Sequence, residues 1–175
     1  MFTGDASGVW LYRALYRAGF ANQPHQHDRN DGLVLRDAFI TAALRCAPPG
    51  NKPTPAQLRR CFGYLVAEIE RLDRLRVVVG LGAIGTRAAR AALAAAGCTF
   101  AGPTAFAHGA ETIASHPARA LVILLASYHP SRQNTNTGVL TEPMLDAVFA
   151  RARSVIRAPA KHPAAGGTRP RGQPA

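Results

Sequence analysis

The residues best suited to chemistry lie in one polar stretch, Ser127 to Gly138, which reads Ser-Tyr-His-Pro-Ser-Arg-Gln-Asn-Thr-Asn-Thr-Gly. It follows an apolar run, Ala120 to Ala126, that is typical of a buried parallel strand. Ligands of open α/β sheets bind just beyond the carboxyl ends of such strands, so we expect His129 at a functional edge. The alternative is that the His-Pro pair merely ends the strand. A binding loop is favoured by the hydrogen-bonding side chains that follow, namely Ser131, Gln133, Asn134, Thr135, Asn136 and Thr137.

A second motif, Gly80-Leu-Gly-Ala-Ile-Gly85, lies between a predicted strand, Arg76 to Val79, and a predicted helix, Thr86 to about Ala96. Its GxGxxG spacing matches the dinucleotide-binding fingerprint. That fingerprint needs an acidic residue about 20 positions downstream to hold a ribose, and the nearest here is Glu111. We therefore interpret the glycines as a close strand-to-helix turn and expect no dinucleotide cofactor. The alternative, a nucleotide-binding protein, predicts dinucleotide binding in a thermal-shift assay.

The elements that must position these motifs alternate between strands and helices, which predicts a parallel sheet with helices on both faces. The segment from Cys98 to Ala107 stays ambiguous between loop and short strand. The other predicted elements are a helix from Ser7 to about Ala18 that Gly19 ends, a strand from Asp37 to Arg45, a helix that opens at the capping box Thr54-Pro-Ala-Gln57, and a helix from Thr141 to about Ile156.

Composition indicates one globular domain, because 175 residues with 47% hydrophobic and 18% charged side chains can bury one sizeable core. We expect a domain over 1–157 and a disordered basic tail over 158–175, rich in Pro, Gly and Ala. The sequence shows neither a membrane span nor a signal peptide, so cytoplasmic residence is the default expectation.

The formal charge of +11 favours a nucleic-acid partner, through phosphate contacts and counterion release. The alternative is compositional drift, since Arg and Ala are abundant throughout. After Ala150 no acidic residue occurs, and the bases there are Arg151, Arg153, Arg157, Lys161, Arg169 and Arg171.

Several long segments together resemble the type b (family 5) uracil-DNA glycosylases of the uracil-DNA glycosylase superfamily. The likeness covers the body from Phe2 to about Phe149. It implies a three-layer α/β/α fold with a short, mainly parallel sheet. The segments that carry it are Phe2-Thr-Gly-Asp-Ala-Ser-Gly8, Trp10-Leu-Tyr-Arg-Ala-Leu15, Arg45 to Pro53, the Cys46-to-Cys61 stretch, Phe106-Ala-His-Gly-Ala110, Ser127 to Gly138 and Thr141-Glu-Pro-Met-Leu-Asp-Ala-Val-Phe149.

The resemblance implies removal of uracil, and of other deaminated bases, from DNA by a monofunctional glycosylase that flips the base out of the helix. By likeness, His129 donates a hydrogen bond to the departing base, and Asp5 orients the attacking water or stabilises the sugar cation. Asp5 could instead cap the next helix. The resemblance also implies a minor-groove loop that contacts DNA through Pro130, Ser131, Gln133, Asn134 and Thr135.

Two further residues are implied in base binding. Phe2 would stack on the extruded base, against the alternative of an ordinary core aromatic. Asn51 would read the hydrogen-bonding edge of the base, although an Asn after a Gly is equally a turn residue.

Cysteine usage suggests a reducing compartment, because the three cysteines have no disulfide-framework spacing. By resemblance, Cys46 and Cys61 are two of the four thiolate ligands of a [4Fe–4S] cluster. Cys98 matches no ligand position. The other two cysteines of the family lie upstream of the Phe-Thr-Gly-Asp segment, together with a strand and a Gly-rich loop.

None of those upstream elements is present in the printed sequence. Either Met1 is an internal methionine of a longer gene product, or the chain lacks the first strand of its sheet and half of the cluster. Two functions follow as hypotheses: a monomeric repair enzyme, or a catalytically impaired DNA-binding remnant of one.

Overall fold

The computed structural model describes residues 6–28, 30–48, 50 and 52–160. They form an α/β fold around one four-stranded sheet, in the order β1-β4-β3-β2, which confirms the predicted fold class. The strands are β1 (Val77–Leu81), β2 (Thr99–Ala101), β3 (Glu111–Ser115) and β4 (Val122–Ser127).

The sheet is mixed, so the expectation of a mainly parallel sheet is wrong for the described residues. β1 and β4 are parallel, whereas β4 pairs with β3, and β3 with β2, in antiparallel fashion. The physical reason lies in the connections 102–110 and 116–121, which are loops. A parallel return needs a crossover of a dozen or more residues, usually with a helix, and these loops are too short for one.

Five helices complete the described part of the fold: α1 (Ala6–Arg17), α2 (Pro55–Arg71), α3 (Gly82–Ala95), α4 (Arg132–Asn136) and α5 (Glu142–Arg157). Side chains alternate between the two faces of the sheet. Val77 and Val79 pack into the core that α1 and α5 cover, while Val78 packs into the core under α2 and α3. Apolar helix faces on both sides of the strands make the predicted three-layer architecture.

Two predicted signals at helix ends are confirmed, and one predicted helix start is wrong. Gln57 N–H donates to the Thr54 hydroxyl oxygen at 3.3 Å, and the Gln57 side-chain oxygen accepts from Thr54 N–H at 2.8 Å, which is the predicted capping box. Gly19 follows α1 with φ +77°, as a left-handed stop should. Helix α3 starts at Gly82, four positions before the predicted Thr86.

The predicted strand from Asp37 to Arg45 is wrong: this segment has no regular secondary structure. Its backbone leaves the extended region at once, because Asp37 has φ +55°. Its side chains are fixed by helices rather than by a neighbouring strand, with Glu68 of α2 accepting hydrogen bonds from both Thr41 and Arg45. Ala38 and Ile40 of the segment pack on the α1/α5 core without joining the sheet, whereas Phe39 is exposed.

Arg153 of α5 ties this segment and the end of α1 to the body of the protein. Its guanidinium donates to the carbonyls of Ala18 at 3.0 Å and Gly19 at 2.6 Å, and pairs with the Asp37 carboxylate at 2.9 Å. The same group lies over the Phe20 ring, 3.8 Å from its centroid. Only 13% of the Arg153 side chain is exposed, so these interactions are shielded from water.

We expect Arg153→Ala to lower the free energy of unfolding by about 2–3 kcal/mol, because hydrogen bonds to a charged, shielded group contribute about 1.5–3 kcal/mol. Urea unfolding at neutral pH measures this. Arg157→Ala, one turn further along α5 and exposed, is the matched control and should change stability by less than about 0.5 kcal/mol. Equal losses in the two variants would show that Arg153 does not hold the segment.

No helix within the described ranges is both long enough and apolar enough to span a bilayer.

Candidate active site

His129 lies where two parallel strands end side by side. In the β1–β4 ladder Leu81 pairs with Ser127, so Gly82 and His129 leave the sheet at the same edge. Gly82 has φ +75°, and a Cβ atom on it would lie 3.1 Å from the Cβ of His129. Only glycine combines that φ with so close an approach. The second glycine of the GxGxxG motif therefore allows the first turn of α3 to pack directly against His129.

Gly80, the first glycine of the motif, packs even more tightly. A Cβ there would meet the Thr86 Cα at 2.5 Å and its nitrogen at 2.8 Å. The Thr86 hydroxyl donates to the carbonyls of Gly80 at 3.1 Å and Gly82 at 3.0 Å. These contacts confirm the interpretation of the glycines as a close strand-to-helix turn.

The loop after His129 is held mostly by its own side chains. Ser131 caps α4, accepting from Asn134 N–H at 3.4 Å. The Asn134 side-chain amide donates to the His129 carbonyl at 2.9 Å, and the Thr135 hydroxyl donates to the Ser131 carbonyl at 3.1 Å. Pro130 is fully buried. Of the five residues predicted to contact DNA, Gln133 is the exposed one, and all five roles stay predictions.

The main chain before His129 is held as well. The fully buried Ser127 donates through its hydroxyl to the Tyr128 carbonyl at 3.0 Å, and Tyr128 N–H donates to Nδ1 of His108 at 3.1 Å. His108 is a residue for which the sequence predicted no role. The sequence did contain an indication of a role, because His108 lies in one of the segments that carry the family likeness.

A cleft runs along the whole of β1 and reaches His129 at the carboxyl end of that strand. Gly82, Phe106 and Gln133 line it together with the histidine. The irregular segment that replaces the predicted strand also contributes, through residues such as Ile40 and Cys46. The segment thus forms a wall of the cleft instead of a strand of the sheet.

Three predicted site residues, Phe2, Asp5 and Asn51, lie outside the described residues. Their predicted convergence on His129 therefore stays a prediction. Of the predicted catalytic pair, the structure describes the imidazole alone.

The predicted metal ligands Cys46 and Cys61 are both free thiols, the first exposed and the second half-buried on α2. Among the residues that the structure describes, no three His, Cys, Asp or Glu side chains are grouped so that they could hold a metal ion. A [4Fe–4S] cluster is normally bound by four thiolates, so the described donors do not by themselves fit that cofactor.

Cys98 has the environment of a structural thiol. It packs beside the core under α2 and α3, and burial raises the pKa of its thiol, against the opposing charge of Arg119. Metal ligation requires the thiolate, which this burial disfavours. That Cys98 is not a ligand stays a prediction.

Comparison of the sequence with protein families identifies the class to which this α/β/α fold belongs. The model of the uracil DNA glycosylase superfamily matches residues 1–153, and the chain belongs to that family.

Within the superfamily, the chain is similar over most of its length to proteins named type-5 uracil-DNA glycosylase. It is 45% identical over 156 residues to the one from Mycobacterium tuberculosis, covering 89% of this chain and 56% of that protein. Identity is 44% over 152 residues with the Pyrobaculum aerophilum protein, covering 87% of this chain and 62% of the relative. With the Thermus thermophilus protein it is 45% over 152 residues, covering 87% and 65%. The resemblance drawn from the sequence is confirmed, and the chain spans between about half and two thirds of the length of these relatives.

Proposed function

We propose that this protein removes uracil from DNA by hydrolysing the N-glycosidic bond of a flipped-out deoxyuridine. The observation that carries the proposal is the position of His129. It lies at the carboxyl end of β4, packed against Gly82, in a chain that belongs to the superfamily. The relatives named type-5 uracil-DNA glycosylase support the choice of uracil and DNA.

The chemistry requires stabilisation of a leaving base that carries negative charge. When the glycosidic bond breaks, the bonding electrons pass to the base, and negative charge develops on its carbonyl oxygens. A hydrogen-bond donor fixed near such an oxygen lowers the barrier, and we assign that role to the His129 imidazole. Gly82 opens α3 beside His129, so the positive end of the helix dipole lies at the same place and favours the same charge.

In the other half of the reaction, water attacks the positively charged sugar that the departing base leaves behind. We assign Asp5 to orient the water or to stabilise the sugar cation, because a carboxylate can do either. Phe2 is assigned to stack on the flipped base and Asn51 to read its polar edge, both from the family likeness. The base has to leave the stack before it can be attacked, which costs a few kcal/mol in a paired duplex.

DNA is the proposed partner, and the basic charge of +11 supports it. The exposed side chains at the start of α4, Arg132 and Gln133, offer a guanidinium and an amide next to His129, which would suit the phosphate backbone beside the flipped nucleotide. The proposal has three further parts. The protein also accepts other deaminated bases, it acts on DNA as a monomer, and it is located in the cytoplasm.

A strand-cleavage assay tests the function. An end-labelled duplex with one U·G pair is incubated with the protein and then with alkali, which breaks the strand at any abasic site. We expect cleavage at the uracil position and none in the matched T·A duplex. Binding of the uracil duplex without cleavage would instead support the non-catalytic DNA-binding alternative.

The iron–sulfur cluster is proposed from the family likeness, with Cys46 and Cys61 supplying two of its thiolates. If so, the protein purified without oxygen contains iron, and the Cys46→Ser/Cys61→Ser double variant loses it, since thiolates bind such clusters far better than hydroxyls. Cys98→Ser is the matched control and should keep its iron. Iron-free protein, or equal iron in the two variants, would contradict these ligand assignments.

A further inference from the structure

The segment from Phe106 to Ala110 closes over the end of β4. Gly109 N–H donates to the Ala126 carbonyl at 2.8 Å, and Ala126 N–H donates to the Ala110 carbonyl at 2.9 Å. These two bonds fix the segment to the last residues of the strand, just before the chain reaches His129.

His108 faces Tyr128 from this segment. Its ring lies 5.1 Å from the Tyr128 ring, centroid to centroid, at an interplanar angle of 33°. Its Nδ1 accepts the hydrogen bond from Tyr128 N–H at 3.1 Å. An accepting Nδ1 carries no proton, so in the neutral ring the N–H is on Nε2.

Three side chains therefore bind the main chain at His129 and at the residue before it. His108 binds the N–H of Tyr128, Ser127 binds the Tyr128 carbonyl, and Asn134 binds the His129 carbonyl. Ser127, at the end of β4, and Asn134, in α4, lie within a few residues of His129 in the same stretch of chain. His108 alone comes from a different part of the chain, between β2 and β3, and so anchors the loop to the sheet.

We propose that His108 is a positioning residue for His129: by accepting the Tyr128 N–H it fixes the peptide between Ser127 and Tyr128, one unit before the catalytic residue, and so fixes the course of the main chain into His129. The inference rests on the proposed function, because His129 is taken as the donor to the departing base. Displacement of a catalytic group by about 1 Å can cost on the order of 10²-fold in rate. His108 need not touch the substrate to have that effect.

Three substitutions at His108 separate positioning from bulk packing. Alanine removes the acceptor. Asparagine keeps one, because its side-chain oxygen is attached to Cγ just as Nδ1 is. Glutamine carries its oxygen one carbon further out and cannot place it at the Nδ1 position.

Under single-turnover conditions with the U·G duplex, we expect His108→Ala and His108→Gln to release uracil about 10- to 100-fold more slowly, with DNA affinity unchanged. His108→Asn should recover to within a few-fold of the wild-type rate. A combined His108→Ala/His129→Ala variant should be no slower than His129→Ala, because a residue that acts through His129 has no effect once His129 is gone.

Two results would overturn the proposal. One is a wild-type rate in His108→Ala. The other is the same fold loss from His108→Ala with and without His129, which would mean that His108 acts on the fold in general.

Amide exchange of Tyr128 N–H tests the contact independently of activity. We expect it to be faster in His108→Ala than in wild type and close to wild type in His108→Asn. If the wild-type protein releases no uracil, the proposed function fails while the exchange measurement still decides whether His108 fixes this peptide. Unchanged Tyr128 exchange in His108→Ala would reject the contact itself.

Discussion

His129→Ala is expected to slow uracil release by about 10²- to 10³-fold, the usual cost of removing one donor that stabilises developing negative charge. The imidazole is half-buried at the sheet edge, and the carbonyl hydrogen bond from Asn134 involves only its main chain. The variant should therefore keep the backbone geometry of the loop. Single-turnover release from a U·G duplex measures the loss, and thermal unfolding checks the fold.

The matched control is His25→Ala, which removes an exposed histidine from the loop after α1. It should release uracil at the wild-type rate. If His129→Ala also kept its full rate, the donor role assigned to His129 would be wrong, whatever the family. DNA binding should be similar in all three proteins, because phosphate contacts carry most of the affinity.

Gly80→Ala is expected to have the largest effect on stability. The new methyl group would lie 2.5 Å from the Thr86 Cα and 2.8 Å from its nitrogen, and backbone atoms cannot move aside as a side chain can. Overpacking usually costs about 1–3 kcal/mol, and a collision with backbone belongs at or above the top of that range. Because α3 would have to shift away from β1, the close packing of His129 against Gly82 should also be lost. We therefore expect loss of activity as well.

Gly85→Ala is the control for this prediction, since it makes the same change within the same motif. The nearest atom to its added Cβ is the Gly80 carbonyl carbon at 3.8 Å, an ordinary contact. Within α3 this replacement should stabilise the protein by about 0.5–1 kcal/mol, through the higher helix propensity of alanine. Urea unfolding of the pair should thus give shifts of opposite sign. Equal stability of Gly80→Ala and wild type would contradict the close packing of β1 on α3.

The fold was predictable where a local pattern decides the outcome alone. Strand β4 is apolar enough to be recognised without neighbours, and the Thr54 capping box carries its partners within four residues. Strand pairing depends on connection length and on contacts distant in sequence. The antiparallel β3 and the irregular segment after Asp37 depend on such contacts, including the bonds to Glu68 and Arg153, and local patterns do not reveal them.

The site was predictable to a similar degree. The position of His129 at the end of a buried strand follows from the sequence, whereas its contacts with Gly82 and His108 require the sheet register. The GxGxxG motif shows most clearly which contacts the sequence alone does not predict. Its glycines serve strand-to-helix packing, as the sequence indicates, but the close approach of Gly82 to His129 depends on β1 and β4 being parallel neighbours.

The most direct measurement of the central claim is the amount of free uracil released from duplex DNA in a single turnover, compared with the number of abasic sites formed. The proposed hydrolysis predicts one uracil for each abasic site, with the strand intact until alkali is added. DNA that is bound by the protein but yields no free uracil would contradict the claim.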